Sequence, residues 1–443
     1  MNGKQVSLSA DTLDLLKEKI LKSAIKGKLV PQLDKEPEME QIGDAPEEAP
    51  FEIPPKWKWV KLSVIASSNI GLTYKPTDLI DDLGGTPVLR ANNIQNGKLN
   101  LEGLKRVKGA NQLPKNFVHP GDLLMCARNG SKRLVGKCCL IPELKERMMF
   151  GAFMAVIRSD FSSYLHIFFS SDAFKEYLGS VNTTTINQIT QKNLLNTWVP
   201  LPPLEEQKRI VEKVDCLFSR IEIIQKSMDE ISQLSESFEK QLLQSSISGK
   251  LVPQLDEELE VEQIGDAPEE VPFEIPEKWK WVRLESLGTL FSGKTPKADE
   301  LTSSGNIPYF KISDMNSSEN QKYMRHTEHY LKTTPKKIFK AGSIIFPKNG
   351  GAVFTNKRRF LVRDSIVDLN TGGFYPNKNY LDESYAFLLL SSIDFREISK
   401  GTALPTIDSS KLKSYLVPLP PLGEQRRIVE KFEKLMLEIQ KLK

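Results

Sequence analysis

Four short patterns in this 443-residue chain could do chemistry, and each lacks what that chemistry needs. Residues 288–295 (GTLFSGKT) match the Gly-x4-Gly-Lys-Thr phosphate loop letter for letter. Such a loop requires a buried strand before it and a helix after it, so that backbone N–H groups face the phosphates. Here Pro296 follows at once, then Asp299, Glu300 and a Ser-Gly turn at Gly305. No convincing strand ending in a magnesium-binding Asp stands elsewhere, and the first half of the chain offers only Gly71-Leu72-Thr73 at the matching place. His326 and His329 could share a helix face, but a zinc site needs three or four ligands and no other His or Cys is near in sequence. Glu206-Gln207-Lys208 mimics a nuclease Glu-x-Lys with no partner Asp, in a stretch that reads as a surface helix. Cys138-Cys139 read as strand residues. There is no Gly-rich methyl-donor loop and no Asn-Pro-Pro-aromatic or Asp-Pro-Pro-aromatic tetrapeptide. The chain is expected to be non-catalytic by itself, with no metal and no cofactor of its own.

The remaining side chains of interest bind. Arg, Lys, Asn, Gln, Ser and Thr read base edges and phosphates. They gather in the loops of two segments. In residues 63–198 the DNA-binding candidates are Arg90, Asn92, Arg128, Asn129, Lys132, Arg133, Thr184, Asn187 and Gln188. In residues 285–416 they are Lys294, Lys311, Ser313, Lys348, Asn349, Lys357, Arg358, Thr402 and Thr406. The two segments share a faint template. Residues 86–94 and 307–315 each read as an opening strand with Pro, which puts Leu89, Ala91 and Asn93 on one face and Arg90 and Asn92 on the other. Turn, buried strand and then base-Asn-Gly follow in residues 120–130 and 341–350, aligning Arg128-Asn129-Gly130 with Lys348-Asn349-Gly350. Helices are expected near residues 164–178 and 384–398.

An internal duplication positions these segments. Residues 23–62 match residues 245–284 without gaps, with 32 of 40 positions identical. Residues 199–213 match 417–431, with 13 of 15 identical. The middles have little identity, so one chain carries two divergent heads on near-constant ends. The period is far beyond the 20–50 residues of a solenoid.

The constant ends read as helical stems. From Leu204 to Ile247 there is no Pro or Gly, and Ile210, Val214, Leu217, Ile221, Ile224, Met228 and Ile231 follow a 4-3-4-3 heptad seam. Forty-four residues make a rod of about 65 Å, with Gly249 as C-cap. Ile428, Phe432 and Leu435 repeat the start of this seam, and Leu16, Ile20 and Ile25 repeat its end. Together the two termini resemble one central helix: half stem, head, full stem, head, half stem. A lone 17-residue helix is marginal in water, so the terminal pieces are expected to pack on the central rod, antiparallel and with pseudo-twofold symmetry.

The expected domains are an N-terminal half-stem (1–33), an acidic connector (34–62), a first head (63–198), the central stem (199–250), a second acidic connector (251–284), a second head (285–416) and a C-terminal half-stem (417–443). The fold class is α+β. Net charge over the chain is +4, but each head carries +6, residues 34–55 carry −7 and residues 256–277 carry −10. Two basic heads on a spacer suggest a polyanion. The acidic stretches read as solvated linker or partner surface. The Trp57/Trp59 and Trp279/Trp281 pairs read as core. No apolar run approaches the ~20 residues of a membrane span. Four scattered cysteines fit no disulfide framework, which suggests a reduced, cytoplasmic setting.

The combination of Pro-Leu-Pro-Pro-Leu-x-Glu-Gln-x-Arg-Ile-Val at residues 200–211 and 418–429, Gly-Lys-Leu-Val-Pro-Gln after each stem, and the head openings FSGKTP, GNIPYF and RANNI resembles the specificity subunit of type I restriction–modification systems. The resemblance spans essentially the whole chain. It implies two target-recognition domains, each reading one half of a bipartite site in double-stranded DNA. It implies that the stems set the spacer, about two turns of B-DNA at ~34 Å each. It also implies that Ile210, Val214, Leu217, Ile221, Ile224, Met228, Ile428, Phe432 and Leu435 form a docking stem for two methylation subunits. Those partners would bring S-adenosylmethionine, and restriction subunits would bring ATP and Mg. The terminal stem is short for the family, so either the N-terminal helix completes it or C-terminal length is missing. A coiled-coil adaptor with two protein-binding heads is the competing reading.

Overall fold

The computed structural model describes residues 9–80, 84–108, 113–181, 187–335, 337–401 and 404–442. Two compact units divide at Ser227/Met228, inside the helix Leu204–Ile247.

In the first unit, the N-terminal helix Ala10–Ile25 starts at Ser9, whose hydroxyl accepts from the Thr12 amide. It buries Leu13, Ile20, Leu21, Ala24 and Ile25 and packs against the head helices Ser162–Ser170 and Asp172–Val181. These head helices are partners that the heptad pattern did not name. The head holds two four-stranded sheets. One orders Met149–Phe150, Thr86–Leu89, Lys105–Val107 and Leu79–Ile80. The other orders Ser67–Ile70, Met154–Arg158, Leu123–Cys126 and Cys138–Leu140. Cys138 and Cys139 are buried strand residues, and burial pushes both thiols up to about 12.

The second unit repeats this plan. A five-stranded sheet orders Gly288–Ser292, Thr371–Pro376, Ile344–Pro347, Arg359–Leu361 and Tyr323–Met324. A four-stranded sheet orders Leu301–Thr302, Tyr330–Leu331, Ile307–Phe310 and Ile366–Val367. The helix Glu383–Ser392 packs on the C-terminal helix Leu422–Leu442.

The constant sequence blocks meet in space at the base of each head. Lys58–Lys61 pairs antiparallel with Trp198–Leu201, and Lys280–Arg283 pairs with Leu416–Leu419. The register is the same in both: Trp59 faces Pro200 and Trp281 faces Pro418. All four Trp side chains are buried, as the i, i+2 spacing suggested. Each acidic connector keeps most of its acids exposed but is pinned at one point, Glu36 or Glu258. The Arg209 guanidinium donates to both carboxylate oxygens of buried Glu36, at 2.7 and 2.8 Å, and to the Pro31 carbonyl at 2.9 Å. Arg427 repeats this with Glu258 at 2.6 Å and Pro253 at 2.9 Å. Lys56 donates to the carbonyls of Leu33, Asp34 and Glu36. Each "linker" is therefore a strap across a neck. Net charge alone did not show this, because one acid in each connector meets an Arg of the neighbouring block while the others stay exposed. Gly27 and Gly249 end their helices at φ +64° and +71°, and a Cβ at either would lie 2.2 Å from the ring of Pro54 or Pro276.

Glu206 and Glu424 lie buried in these necks. Glu206 accepts from Gln32 at 3.1 Å and Glu424 from the Trp279 indole at 2.9 Å. Burial raises both carboxyl pKa values above the ordinary range. The main cause in each is loss of water around the carboxylate, with the second acid of the clasp, Glu36 or Glu258, adding to it. A carboxyl whose folded pKa exceeds its unfolded one binds protons more tightly when folded. The stability it contributes is present in acid and is lost as pH rises through the raised value. The Glu206→Gln, Glu424→Gln double variant should therefore gain stability relative to wild type between pH 5 and pH 8. Urea midpoints at the two pH values check this, and a constant difference between the proteins would refute it.

Candidate nucleic-acid interface

The opening strands are shorter than their sequences suggest. Thr86–Leu89 and Ile307–Phe310 each give way to a 3-10 turn, Ala91–Asn93 and Ile312–Asn316. The cause is local. The Asn93 side chain accepts from the Arg90 amide at 3.0 Å, and Asp314 accepts from the Lys311 amide at 2.9 Å. Asn93 is itself fully buried and donates to the Asn100 carbonyl at 2.9 Å. The expected alternation of Leu89, Ala91 and Asn93 against Arg90 and Asn92 is corrected accordingly, because the chain turns where alternation would need it extended.

That turn helps to shape a cavity of about 810 Å³ in the first head. Arg90, Asn92, Arg128 and Asn129, all singled out from sequence, line it together. Tyr74, Gln95, Lys137 and Phe153 join them and were not foreseen. Gln188 bridges to Arg128 across the loop, and the Asn187 side chain donates to the Gly130 carbonyl at 3.0 Å. Lys132 and Arg133 are exposed on the adjoining turn Lys132–Leu134. Thr184 lies outside the described residues. The cavity thus joins cations, amides and apolar wall on one concave surface.

The second head places its candidates more widely. Lys294 is exposed, and its amide donates to the Val367 carbonyl at 2.9 Å. Ser313 is exposed, while the Lys311 ammonium meets the His329 ring at 2.6 Å. The Lys348 ammonium donates to the Ser292 hydroxyl at 3.2 Å beside a groove of about 270 Å³. Asn349 bridges to Thr406. Lys357 is engaged by Asn316. Thr402 lies outside the described residues.

Arg358 is a correction. It is 2% exposed, and its guanidinium donates to the carbonyls of Leu390, Ile393 and Lys357. It also lies 3.7 Å from the Phe395 ring centroid, and burial lowers its pKa to about 9. It holds the end of a helix and faces no groove. The Lys-Arg-Arg run carried no sign that its middle member turns inward.

Backbone hydrogen bonds also shift the template by one residue. The Ala127 and Arg128 amides both donate to the Phe153 carbonyl, at 2.9 and 3.0 Å. The Lys348 and Asn349 amides both donate to the Asn370 carbonyl, at 2.7 and 3.4 Å. Arg128 therefore corresponds to Asn349, and Phe153 to Asn370. The base-Asn-Gly match in sequence needed a gap that the strands do not contain.

The phosphate-loop pattern has a packing explanation. Gly288–Ser292 is a strand, and the next helical turn is only Ala298–Glu300. A Cβ at Gly288 would lie 2.4 Å from the Tyr375 carbonyl oxygen, and one at Gly293 2.0 Å from that of Asp368. Both glycines admit a crossing strand, so their spacing needs no nucleotide. Gly71 does the same in the first head, where a Cβ would lie 2.2 Å from the Phe150 oxygen. His326 and His329 lie in the segment between Tyr323–Met324 and Tyr330–Leu331, not on a helix. Among the described residues, no group of three or more His, Cys, Asp or Glu could hold a metal ion, and no helix is long and apolar enough to cross a membrane.

The model of the type I restriction modification DNA specificity domain matches residues 54–233 and 276–443, so the chain belongs to that family and is a specificity subunit with DNA target-recognition domains. It is 28% identical over 411 residues to the EcoKI specificity subunit of Escherichia coli K12, covering 86% of this chain and 82% of that protein. It is 25% identical over 426 residues to the MjaX specificity subunit of Methanocaldococcus jannaschii, a protein described as putative, covering 88% and 89%. Its fold matches a chain from a study of the assembly and conformational transition of the type I system, at TM-score 0.67 and 21% identity over 89% of this chain and 93% of that one. It also matches the HsdS subunit from Thermoanaerobacter tengcongensis at TM-score 0.56, with the same identity and coverage.

Proposed function

We propose that each head reads one half of a bipartite asymmetric DNA site, and that the helical stems pair antiparallel, fix the spacer and dock two methylation subunits. Those partners carry S-adenosylmethionine and the catalytic residues, and restriction subunits carry ATP and Mg. The chain itself selects the site. The convergence of Arg90, Asn92, Arg128 and Asn129 on one cavity carries this reading. These are the side chains that pair with guanine, adenine and phosphate.

Salt dependence tests it against the protein-binding adaptor. Binding of the chain with its methylation partner to duplex containing the modified site should weaken steeply between 50 and 200 mM salt, about 10³-fold or more for six or more phosphate contacts. Arg128→Ala should flatten the log–log slope by about one if that cation meets a phosphate. Salt-indifferent binding would favour the adaptor.

The stem supports docking at its middle. Of the residues expected to dock, Ile210, Val214 and Ile221 are buried by this chain itself, which corrects their docking role, and Leu217, Met228, Phe432 and Leu435 are half-buried. Ile428 is fully buried. Ile223 and Leu234 are 66% and 69% exposed, and Ile224 is 39% exposed. Exposed apolar side chains along a helix are what a partner helix covers. Replacing Ile223, Ile224 and Leu234 by Gln should abolish assembly with the methylation subunit while shifting stability by no more than about 0.5 kcal/mol per site. Co-purification and urea unfolding measure the two effects, and retained assembly would refute this docking face. Ile221 is unsuitable for the test, because its burial makes a polar replacement a stability change first.

A further inference from the structure

The cavity of the first head holds a side chain that phosphate contact does not account for. Phe153 is 58% exposed and sits between the strands Met149–Phe150 and Met154–Arg158. Exposure alone means little, since isolated apolar residues are common on surfaces. Its surroundings narrow the meaning. The Arg128 guanidinium carbon lies 5.3 Å from the ring centroid. Leu72 and Ala152 line the same concavity, with Asn92 and Gln95 among the polar lining residues. The corresponding position in the second head is Asn370, whose Oδ1 accepts from the Asn349 amide group at 3.3 Å. One scaffold therefore offers an apolar wall in one head and a paired amide in the other.

A duplex presents few apolar features in its grooves. In the major groove the thymine 5-methyl is the one that Ala and Phe side chains contact. A side chain that intercalates must project as a wedge between base steps. Phe153 instead lines a concave wall, beside the cation and amides that would hold neighbouring edges. We infer that Phe153, with Ala152 beside it, reads the 5-methyl group of a thymine in the first half-site and is a specificity-determining residue of that head. The inference rests on the proposal that the heads hold duplex DNA.

The test uses the full chain assembled with its methylation subunits, on duplexes carrying the mapped site. Thymines of the first half-site are replaced one at a time by uracil, which lacks the methyl and keeps the pairing edge. At one position uracil should weaken wild-type binding about four-fold, the value of one buried methyl. Phe153→Ala should bind the thymine duplex about four-fold more weakly and be indifferent to uracil at that position. Phe153→Leu should keep part of the sensitivity, and uracil in the second half-site should affect all three proteins alike. An unchanged urea midpoint shows that the Ala variant is folded. Independent, multiplying losses from uracil and Phe153→Ala would overturn the inference, as would a wild type blind to every uracil while still selecting its site. Loss of all site preference in the folded wild-type complex would overturn the reading of the heads as DNA readers.

Discussion

Arg358→Ala should unfold the second head under conditions where the first head stands. The side chain is 2% exposed and serves three carbonyls. Two of them, Leu390 and Ile393, lie at the end of the helix Glu383–Ser392, where backbone acceptors lack intrahelical donors. The guanidinium thus caps that helix and fills the space against Phe395. Truncation leaves buried carbonyls unpaired and opens a cavity, together about 3–5 kcal/mol. Arg358→Lys should recover only part of this, because an ammonium cannot present the planar fork. Hydrogen exchange gives the readout by region. Amides of residues 383–392 should lose protection, while those of 123–126 keep theirs. A variant with unaltered exchange and weakened DNA binding would return Arg358 to the interface.

Replacement of residues 63–198 by another head of the family should move one half of the modified site and leave the other unchanged. The joints favour this. Leu62 donates its amide to the Thr197 carbonyl at 2.9 Å, and the strands Lys58–Lys61 and Trp198–Leu201 keep the register found at Lys280–Arg283 and Leu416–Leu419. The graft meets near-identical residues at either neck. Specific over non-specific discrimination by such proteins is about 10³-fold or more, so the exchanged half should be replaced outright rather than blurred. Mapping methylated bases in host DNA by long-read sequencing reads both halves at once. Movement of both halves would show that the heads do not read separately.

The sequence made the duplication, the buried Trp pairs and the Gly249 helix end legible, because each depends on local pattern or exact repetition. The heptad seam grouped Ile210, Val214 and Ile221 on one face, but the chain itself buries that face, so the docking role the resemblance implied for them does not stand. The head helices that the N-terminal helix packs on were not legible, since periodicity names a face and not what covers it. Arg358, Glu36 and Glu258 escaped the reading for one reason: charge says nothing of whether a partner lies across the fold. The strands after Leu89 and Phe310 stop early because one buried Asn93, and one Asp314, outweigh alternation by capturing the amide three residues back. Phe153 leaves no signal in the first head alone. Only the comparison with Asn370, which needs the backbone register, sets it apart.

The clasp between Arg209 and Glu36 bears on how the molecule meets mechanical tension. Within the first unit, the chain arrives through residues 27–36 and leaves through residues 204–209, and these two stretches are stitched directly to each other. A pull applied at those points runs across the clasp and the four-residue ladder beside it, and reaches the recognition loops only after both have sheared. Tension on the assembled molecule at these points therefore loads the seam before the surface that meets the sequence.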